Sequence, residues 1–309
     1  MEFLKTNVIH NQDCLSGMDL LPEKSVDICV TSPPYNLTIN YGVYNDNKPR
    51  EDYLNWLDMV FKSINKCLID DGHFWLNVGY SNIDPWVGMD VAQVARKYFM
   101  LQNNFVWVKS IAIDDITRGH FKPINSERFS NPTWEHLFHF TKTGNVKCDK
   151  LSIGVPYMHE SNLDNTSRMK GRMVKKMGFE DQKDFYKNAT KEQIEELENI
   201  INEKVEGKTK PDKRCKGNSW FIPYDTIQNR DKHRGNHPAT YPIKLVEDCI
   251  KFSGIKKGGI LLDPFMGSGT SAISSLKCGL NYIGYDIDKD YVNFATDRIN
   301  DYLKTKHTS

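Results

Sequence analysis

The chain has 309 residues, of which 39% are hydrophobic and 26% charged, with 41 basic and 40 acidic side chains. This composition is typical of a globular protein and excludes disordered and fibrous classes. No apolar run reaches the roughly 18 residues of a membrane span, and the first residues lack the pattern of a signal peptide, so we expect a cytoplasmic protein. The seven cysteines form no CxxC pair, and we therefore expect no metal site.

The charges are distributed unevenly along the chain. Residues 1–108 carry 8 basic and 13 acidic side chains, residues 109–236 carry 24 and 19, and residues 237–309 carry 9 and 8. The middle third, with its net charge of +5, is the part best suited to a phosphate backbone. A lysine-rich surface that only faces water is the alternative interpretation.

The first third alternates short apolar runs with helical patterns, which predicts an α/β layer structure. The predicted strands cover residues 26–30, 73–78, 105–109 and 134–140, and the predicted helices cover 51–68 and 88–99, the first helix being broken by Asp70-Asp71-Gly72. The first strand leads into Thr31-Ser32-Pro33-Pro34-Tyr35, with Asn36 after it. Two prolines cannot continue a sheet ladder. This segment therefore predicts a stiff corner that offers a hydroxyl, free carbonyls and an aromatic ring to a flat molecule with an amino group.

The character of the sequence changes between residues 142 and 217, where strand-like runs become rare. Thr190 and Gln193 form a capping box, which predicts a helix that ends before Gly207. We interpret residues 142–217 as an inserted, partly helical module, with a flexible insertion as the alternative. It separates a first part at 1–141 from a last part at 218–309.

The last third returns to the α/β pattern. It predicts, in order, a helix at 243–252, a strand at 259–263, a helix at 270–278, a strand at 282–285 and a helix at 291–303. The loop Asp263-Pro264-Phe265-Met266-Gly267-Ser268-Gly269-Thr270 joins the first of these strands to its helix, and Asp286 ends the second strand. Such a unit is typical of nucleoside binding. The loop lacks the G-x-G-x-x-G spacing and the phosphate-binding lysine, so a ligand with a cationic end and no phosphate, such as S-adenosylmethionine, fits it best.

The motifs TSPPY and DPFMGSGT together resemble those of the DNA amino-methyltransferases, which methylate N4 of cytosine or N6 of adenine. The catalytic motif comes first and the glycine-rich motif last, as in the β subgroup of that family. The resemblance also includes residues 11–15, 237–242 and 283–286. It implies a doubly wound, mostly parallel sheet of the S-adenosylmethionine-dependent methyltransferase type, with circularly permuted motifs, and a target-recognition role for 142–217. It also implies double-stranded DNA as partner; relatives often accompany a restriction endonuclease and often pair as homodimers.

The resemblance assigns roles to individual residues. Ser32, Pro33, Pro34 and Tyr35 would hold the target base. The residues implied around the cofactor are Asp13 near the adenine, Asp286 at the ribose, His237, Pro238 and Thr240 over the methionine end, and Asp263, Pro264, Phe265, Gly267, Ser268, Gly269 and Thr270 in the loop. The alternatives are that Asp13 is a strand-end or loop carboxylate and His237 a loop histidine, neither with a role in cofactor binding. The candidates for DNA contact are Asn36, Arg118, Lys122 and Arg128.

The expected chemistry is direct methyl transfer to a base flipped out of the duplex. Ser32 and the Pro33 carbonyl would accept hydrogen bonds from the amino group and orient its nitrogen towards the methyl group. Because most of the catalysis would come from this orientation, no strong general base is needed. In this family a serine before the two prolines is associated mostly with N4-cytosine methylation and an aspartate with N6-adenine, so cytosine is the predicted target and adenine the alternative. An RNA or protein-glutamine methyltransferase is a remoter alternative, because those enzymes usually carry asparagine in this motif and place it after the glycine loop.

Overall fold

The computed structural model describes residues 4–119, 124–157, 166–205, 213–224 and 240–307. The chain divides into two compact units, Met1–Ile153 with Lys216–Ser309, and Gly154–Cys215. Within the described ranges, no helix combines the length and the apolar character that crossing a membrane requires.

The secondary structure follows the predicted alternation. The strands are β1 (Val8–Asn11), β2 (Val26–Thr31), β3 (Leu68–Val78), β4 (Met100–Val108), β5 (Ser110–Ile113), β6 (Ile116–Gly119), β7 (Trp134–Thr141), β8 (Val155–Pro156), β9 (Lys213–Arg214), β10 (Ser219–Phe221), β11 (Ile260–Asp263) and β12 (Asn281–Asp286). The helices are α1 (Cys14–Asp19), α2 (Arg50–Cys67), α3 (Val87–Ala95), α4 (Thr166–Lys176), α5 (Gln182–Asn188), α6 (Lys191–Val205), α7 (Ile243–Ser253), α8 (Thr270–Lys277) and α9 (Lys289–His307).

One sheet of eight strands organises the larger unit, in the order β1-β12-β11-β2-β3-β7-β4-β10. All its neighbouring strands are parallel except around β7, which is antiparallel to both β3 and β4. The predicted mostly parallel α/β fold is therefore confirmed. Because β2 lies beside β11, the catalytic and glycine-rich motifs emerge at the same edge of the sheet.

The sheet is buried on both faces. In β2, Cys29 belongs to the apolar cluster formed with α1, α2 and α3, whereas Ile28 and Val30 belong to the cluster formed with α7. This alternation follows from the period of two along a strand. A strand buried on both sides must be apolar throughout, which is why residues 26–30 form a nearly continuous apolar run.

The predicted end of the helix is confirmed to within one residue, but Asp70-Asp71-Gly72 does not separate this helix from the next strand. Helix α2 ends at Cys67 and β3 begins at once with Leu68, so these three residues lie inside the strand. The pairing of β2 with β3 shifts register between Val26 and Ile28, and this irregularity accommodates the additional residues. Strands β1 and β10, helix α1 and the β5–β6 hairpin were not predicted.

The smaller unit contains α4, α5, α6 and the β8–β9 pair. Its core is formed by Val174, Phe185, Leu197 and Ile201. The predicted capping box is confirmed, because the Gln193 backbone N–H donates to Thr190 Oγ1 at 3.3 Å and the Thr190 backbone N–H donates to Gln193 Oε1 at 2.9 Å. The unit is shorter than the predicted module; Cys148 and Ile153 pack on the core of the larger unit. Its role in target recognition stays a prediction.

Candidate active site

The two sequence motifs meet through a buried hydrogen bond. Thr31 ends β2 and Asp263 ends the adjacent β11, and Thr31 Oγ1 donates to Asp263 Oδ1 at 2.6 Å. Neither residue is exposed to solvent. The sheet topology thus joins two segments that are 232 positions apart in the sequence.

The Asp263 carboxylate has further donors around it. Ser271 Oγ donates to its Oδ2 at 2.6 Å, Tyr241 OH donates to Oδ2 at 2.9 Å, and the Phe265 amide N–H donates to Oδ1 at 3.1 Å. Burial raises the pKa of Asp263, whereas these hydrogen bonds oppose that rise. The observed role of Asp263 is therefore to hold three segments together: residues 31–35, here called the catalytic corner, the glycine-rich loop and the start of α8. Its predicted contact with the cofactor stays a prediction.

A cavity of about 400 Å³ lies at this edge of the sheet, within the usual size range of small-molecule sites. The predicted site residues that line it are Asp13, Ser32, Pro33, Pro34, Tyr35, Thr240, Pro264, Phe265, Gly267, Ser268, Thr270 and Asp286. Asp263, the last residue of β11, and Gly269, which caps α8, do not line the cavity. His237, Pro238 and Lys122 lie outside the described residues.

The glycine-rich loop is fixed against Asp286. The Gly267 N–H donates to Asp286 Oδ2 at 2.9 Å, and the Asp288 N–H donates to Oδ1 at 2.9 Å. Burial raises the pKa of Asp286 to about 6. Gly269 has a φ of 79°, and a Cβ added there would lie 3.0 Å from the Cβ of Ala295, so the loop requires glycine at this position.

Asp13 occupies the start of α1. Its Oδ1 accepts the backbone N–H groups of Leu15 at 3.0 Å and Ser16 at 3.2 Å, and this N-cap explains why a short helix begins here. Asp13 also lines the cavity. Its predicted position near the adenine of the cofactor stays a prediction.

The catalytic corner is braced by residues that the sequence analysis missed. Tyr35 OH lies 2.7 Å from Ser32 Oγ, donates to Glu135 Oε2 at 3.0 Å and lies 3.3 Å from Asn77 Oδ1. Burial and the nearby Glu135 raise the pKa of Tyr35 well above its ordinary value, so the hydroxyl keeps its proton. Lys109 Nζ completes the group with an ion pair to Glu135 Oε1 at 2.9 Å.

These bracing residues lie at three neighbouring strand ends. Asn77 is near the end of β3, Lys109 follows β4, and Glu135 is near the start of β7. Because β7 runs antiparallel, its first residues share an edge with the last residues of its neighbours. The sequence contains one indication that Glu135 has a functional role: it is a charged residue inside the apolar run 134–140.

The segment after the corner is folded around Asp46. Both carboxylate oxygens of this buried residue accept backbone N–H groups, from Asn36 at 2.8 Å and from Leu37 and Ile39 at 3.0 Å. The side chain of Asn36 exchanges two hydrogen bonds with the backbone of Lys48, at 2.7 and 2.8 Å. Asn36 thus fixes this segment, and its predicted DNA contact stays a prediction.

Two predicted DNA-contact residues are exposed and do not line the cavity. Arg118 is in β6, and the Arg128 guanidinium carbon lies 4.9 Å from the centre of the Phe129 ring.

Comparison with known proteins identifies the family. A family model described as DNA methylase, of the N6 and N4 amino-methyltransferases, matches residues 26–297. The chain belongs to this family. It is 25% identical over 298 residues to the type II methyltransferase M.ScaI of Streptomyces caespitosus, covering 94% of this chain and 81% of the relative. It is 27% identical over 302 residues to M1.MboII of Moraxella bovis, covering 94% and 96%.

Solved structures have the same fold. The PvuII cytosine-N4-specific DNA methyltransferase matches with a TM-score of 0.60 at 18% identity, over 96% of this chain and 93% of that one. A DNA modification methylase from Thermus thermophilus, in complex with S-adenosyl-L-methionine, matches with a TM-score of 0.55 at 20% identity, over 96% and 93%. The DNA methylase described here accordingly shares the fold of a protein that was solved with S-adenosyl-L-methionine.

The cavity fits this cofactor. Asp286 uses one hydrogen bond on each carboxylate oxygen, and each oxygen can accept another from a ribose hydroxyl. Tyr44 also lines the cavity, and its hydroxyl is a buried polar atom for which the described residues supply no hydrogen-bond partner. A buried hydroxyl of this kind favours a polar ligand beside it.

We expect Thr31→Val to lower the free energy of unfolding by about 1–3 kcal/mol, because it removes a donor from a buried carboxylate without changing the side-chain shape. Urea unfolding followed by circular dichroism measures the change. Thr296→Val is the matched control, since Thr296 is exposed on α9 and bonds only its own helix. Equal stability losses in the two variants would contradict the structural role of the Thr31–Asp263 bond.

Proposed function

We propose that this DNA methylase transfers the methyl group of S-adenosylmethionine to the exocyclic N4 of a cytosine flipped out of a specific DNA sequence. The observation that carries the choice of base is Ser32, whose side chain lines the cavity at the end of β2 where an N6-adenine enzyme of this family mostly has aspartate. The PvuII enzyme with the same fold is cytosine-N4-specific, which agrees with this choice. N6-adenine is the second candidate.

The cofactor occupies the part of the cavity bounded by β12 and the glycine-rich loop. Asp286 accepts the ribose hydroxyls and Asp13 lies near the adenine. The residues proposed around the methionine part are Thr240, Pro264, Phe265, Gly267, Ser268, Gly269 and Thr270, with Asp263 beneath them and with His237 and Pro238 from the segment before Thr240. When bound, the cofactor supplies a methyl group on a cationic sulfur.

The target base occupies the part bounded by the catalytic corner. The ring of Tyr35 stacks on the base, which contributes about 1–3 kcal/mol towards keeping it out of the duplex. Ser32 Oγ and the Pro33 carbonyl accept hydrogen bonds from the amino group and aim its nitrogen at the methyl group. Pro34 fixes this geometry from behind, since its carbonyl accepts a hydrogen bond from Tyr53 OH at 2.8 Å.

Glu135 and Gly79 support this arrangement. Glu135 holds the Tyr35 hydroxyl, and its negative charge stabilises the positive charge that develops on the amino nitrogen. A Cβ at Gly79 would lie 2.6 Å from the Tyr35 ring, so glycine is required for the ring to occupy its position.

DNA recognition is assigned to the smaller unit together with Arg118, Lys122 and Arg128. Their positive charges suit phosphate contacts, and any of them that reach a groove can read guanine. The curated relatives are named type II methyltransferases. We therefore propose that a cognate restriction endonuclease accompanies the enzyme in a restriction-modification system. From the family resemblance we also expect a homodimer.

Base mapping tests the proposed reaction. Plasmid DNA exposed to the enzyme and cofactor is expected to carry N4-methylcytosine at one short sequence, read by single-molecule sequencing and by mass spectrometry of the nucleosides. N6-methyladenine at such a sequence would show that the target base is adenine and not cytosine, and the proposed amino-methyltransferase mechanism would be unchanged. Methylation of RNA or protein alone would overturn the proposal.

Tyr35→Ala is expected to lower methyl transfer to duplex DNA by roughly tenfold to a hundredfold while leaving cofactor affinity unchanged, because the lost stacking concerns only the base. Radiolabelled methyl transfer and calorimetry measure the two quantities. Tyr98→Ala is the matched control, since this half-buried tyrosine of the larger unit precedes β4, at the edge of the sheet opposite the cavity. A comparable loss of cofactor affinity would assign Tyr35 to the cofactor instead.

The ionisation of Asp286 makes cofactor binding pH-dependent. With a pKa of about 6, its ionised fraction falls about tenfold between roughly pH 7 and pH 5, and only the carboxylate accepts both ribose hydroxyls well. Cofactor affinity, measured by calorimetry at constant ionic strength, is expected to fall by about the same factor. Asp286→Asn should bind weakly and without this dependence. An unaltered pH profile in that variant would exclude Asp286 as the titrating group.

A further inference from the structure

Lys48 is an unusual member of the cavity lining. Among the described residues that line the cavity, it carries the one positive side chain, beside the carboxylates of Asp13, Glu135, Asp286 and Asp288. Its ammonium has no ion-pair partner in the described part of the chain, although lysines elsewhere on the larger unit form several such pairs. A cation that has no carboxylate partner, in a cavity whose other charged lining residues are all acids, is suited to an anionic group of a ligand.

Aromatic rings hold this ammonium in place. Lys48 Nζ lies 4.7 Å from the centre of the Tyr44 ring and 5.1 Å from that of Trp56, both within the range of cation–π contacts. Trp56 in turn packs on Phe265 of the glycine-rich loop, with ring centres 5.4 Å apart. The Lys48 ammonium is therefore next to the part of the loop assigned to the methionine end of the cofactor.

The backbone of Lys48 is equally fixed. Its N–H and C=O bind the side chain of Asn36, the residue that directly follows the catalytic corner. Because these bonds use the main chain, the side chain is free to serve another purpose. The nearby Tyr44 hydroxyl, buried and without a partner among the described residues, provides a second donor.

We infer that Lys48, together with the Tyr44 hydroxyl, binds the carboxylate of the amino-acid part of S-adenosylmethionine. That carboxylate is the one anionic group of the cofactor, and the acids around the ribose end would repel it. A lysine ammonium with a neighbouring hydroxyl forms charge-assisted hydrogen bonds to such a group. The inference rests on the proposed placement of the cofactor in this cavity.

A DNA phosphate is the competing ligand for Lys48. Lys48 lines the cavity proposed for the cofactor and one flipped base, whereas base flipping leaves the neighbouring nucleotides and their phosphates in the duplex. The two ligands predict different measurements, because the carboxylate belongs to the cofactor and is present without DNA.

Decarboxylated S-adenosylmethionine is the discriminating probe, since it lacks only the carboxylate. Calorimetry on the full chain is expected to give wild-type enzyme at least a tenfold preference for the complete cofactor, given the usual strength of charge-assisted pairs. Lys48→Met should lose most of this preference, through weaker binding of the complete cofactor only, and Tyr44→Phe should lose part of it. Lys62→Met, which changes an exposed lysine of α2, should keep the wild-type preference.

An unchanged preference in Lys48→Met, or an equal loss of affinity for both ligands, would overturn the inference. So would a variant in which only DNA affinity falls, because this outcome assigns Lys48 to a phosphate. An unchanged preference in Tyr44→Phe would remove the hydroxyl from the subsite. If the wild-type enzyme bound neither ligand, the proposed cofactor site itself would be wrong. Failure of the Lys48 inference and failure of the proposed function therefore give different results.

Discussion

The buried hydrogen bond between Thr31 and Asp263 is the interaction on which the rest of the site depends. A carboxylate enclosed by protein requires donors to remain stable, and Asp263 obtains them from β2, from Tyr241 before α7, from the glycine-rich loop and from α8. Each donor belongs to a different segment. The catalytic corner and the cofactor loop are therefore held at a fixed separation, which in-line methyl transfer requires.

The order of strands in the sheet explains why distant segments can share one acid. Parallel neighbours place all their carboxyl ends at one edge, so the ends of β2, β11 and β12 bring Ser32, Asp263 and Asp286 together. The antiparallel β7 adds the start of a strand to the same edge, and with it Glu135. The antiparallel direction of this strand thus supplies a carboxylate that binds the hydroxyl of Tyr35.

The sequence predicted the strands and helices with strong periodicity and both motifs, because those depend on local spacing. It did not predict that Asp70-Asp71-Gly72 lies within β3, since the bulge that accommodates these residues depends on the partner strand. It did not predict the hydrogen bonds that surround the Asp263 carboxylate, because a motif predicts proximity and not the direction of a side chain. The sequence also did not predict Glu135, Lys109 and Lys48 as site residues. Their contacts are with residues that become neighbours only in the folded chain.

The distribution of charge in the cavity suits the proposed reaction. During methyl transfer, positive charge leaves the sulfur and develops on the base nitrogen, so an enzyme gains rate by stabilising charge at the nitrogen more than at the sulfur. Glu135 is hydrogen-bonded to Tyr35, which we propose stacks on the base, whereas the Lys48 ammonium lies against Trp56, which packs on Phe265 of the glycine-rich loop. In the proposed arrangement the Glu135 carboxylate, whose other oxygen pairs with Lys109, lies on the base side and the Lys48 ammonium on the cofactor side, an order of charges that favours this movement. The proposed contacts of Asp286 and Asp13 are with the neutral adenosine, so in this arrangement the charged part of the cofactor meets Lys48 and the uncharged part meets the two acids.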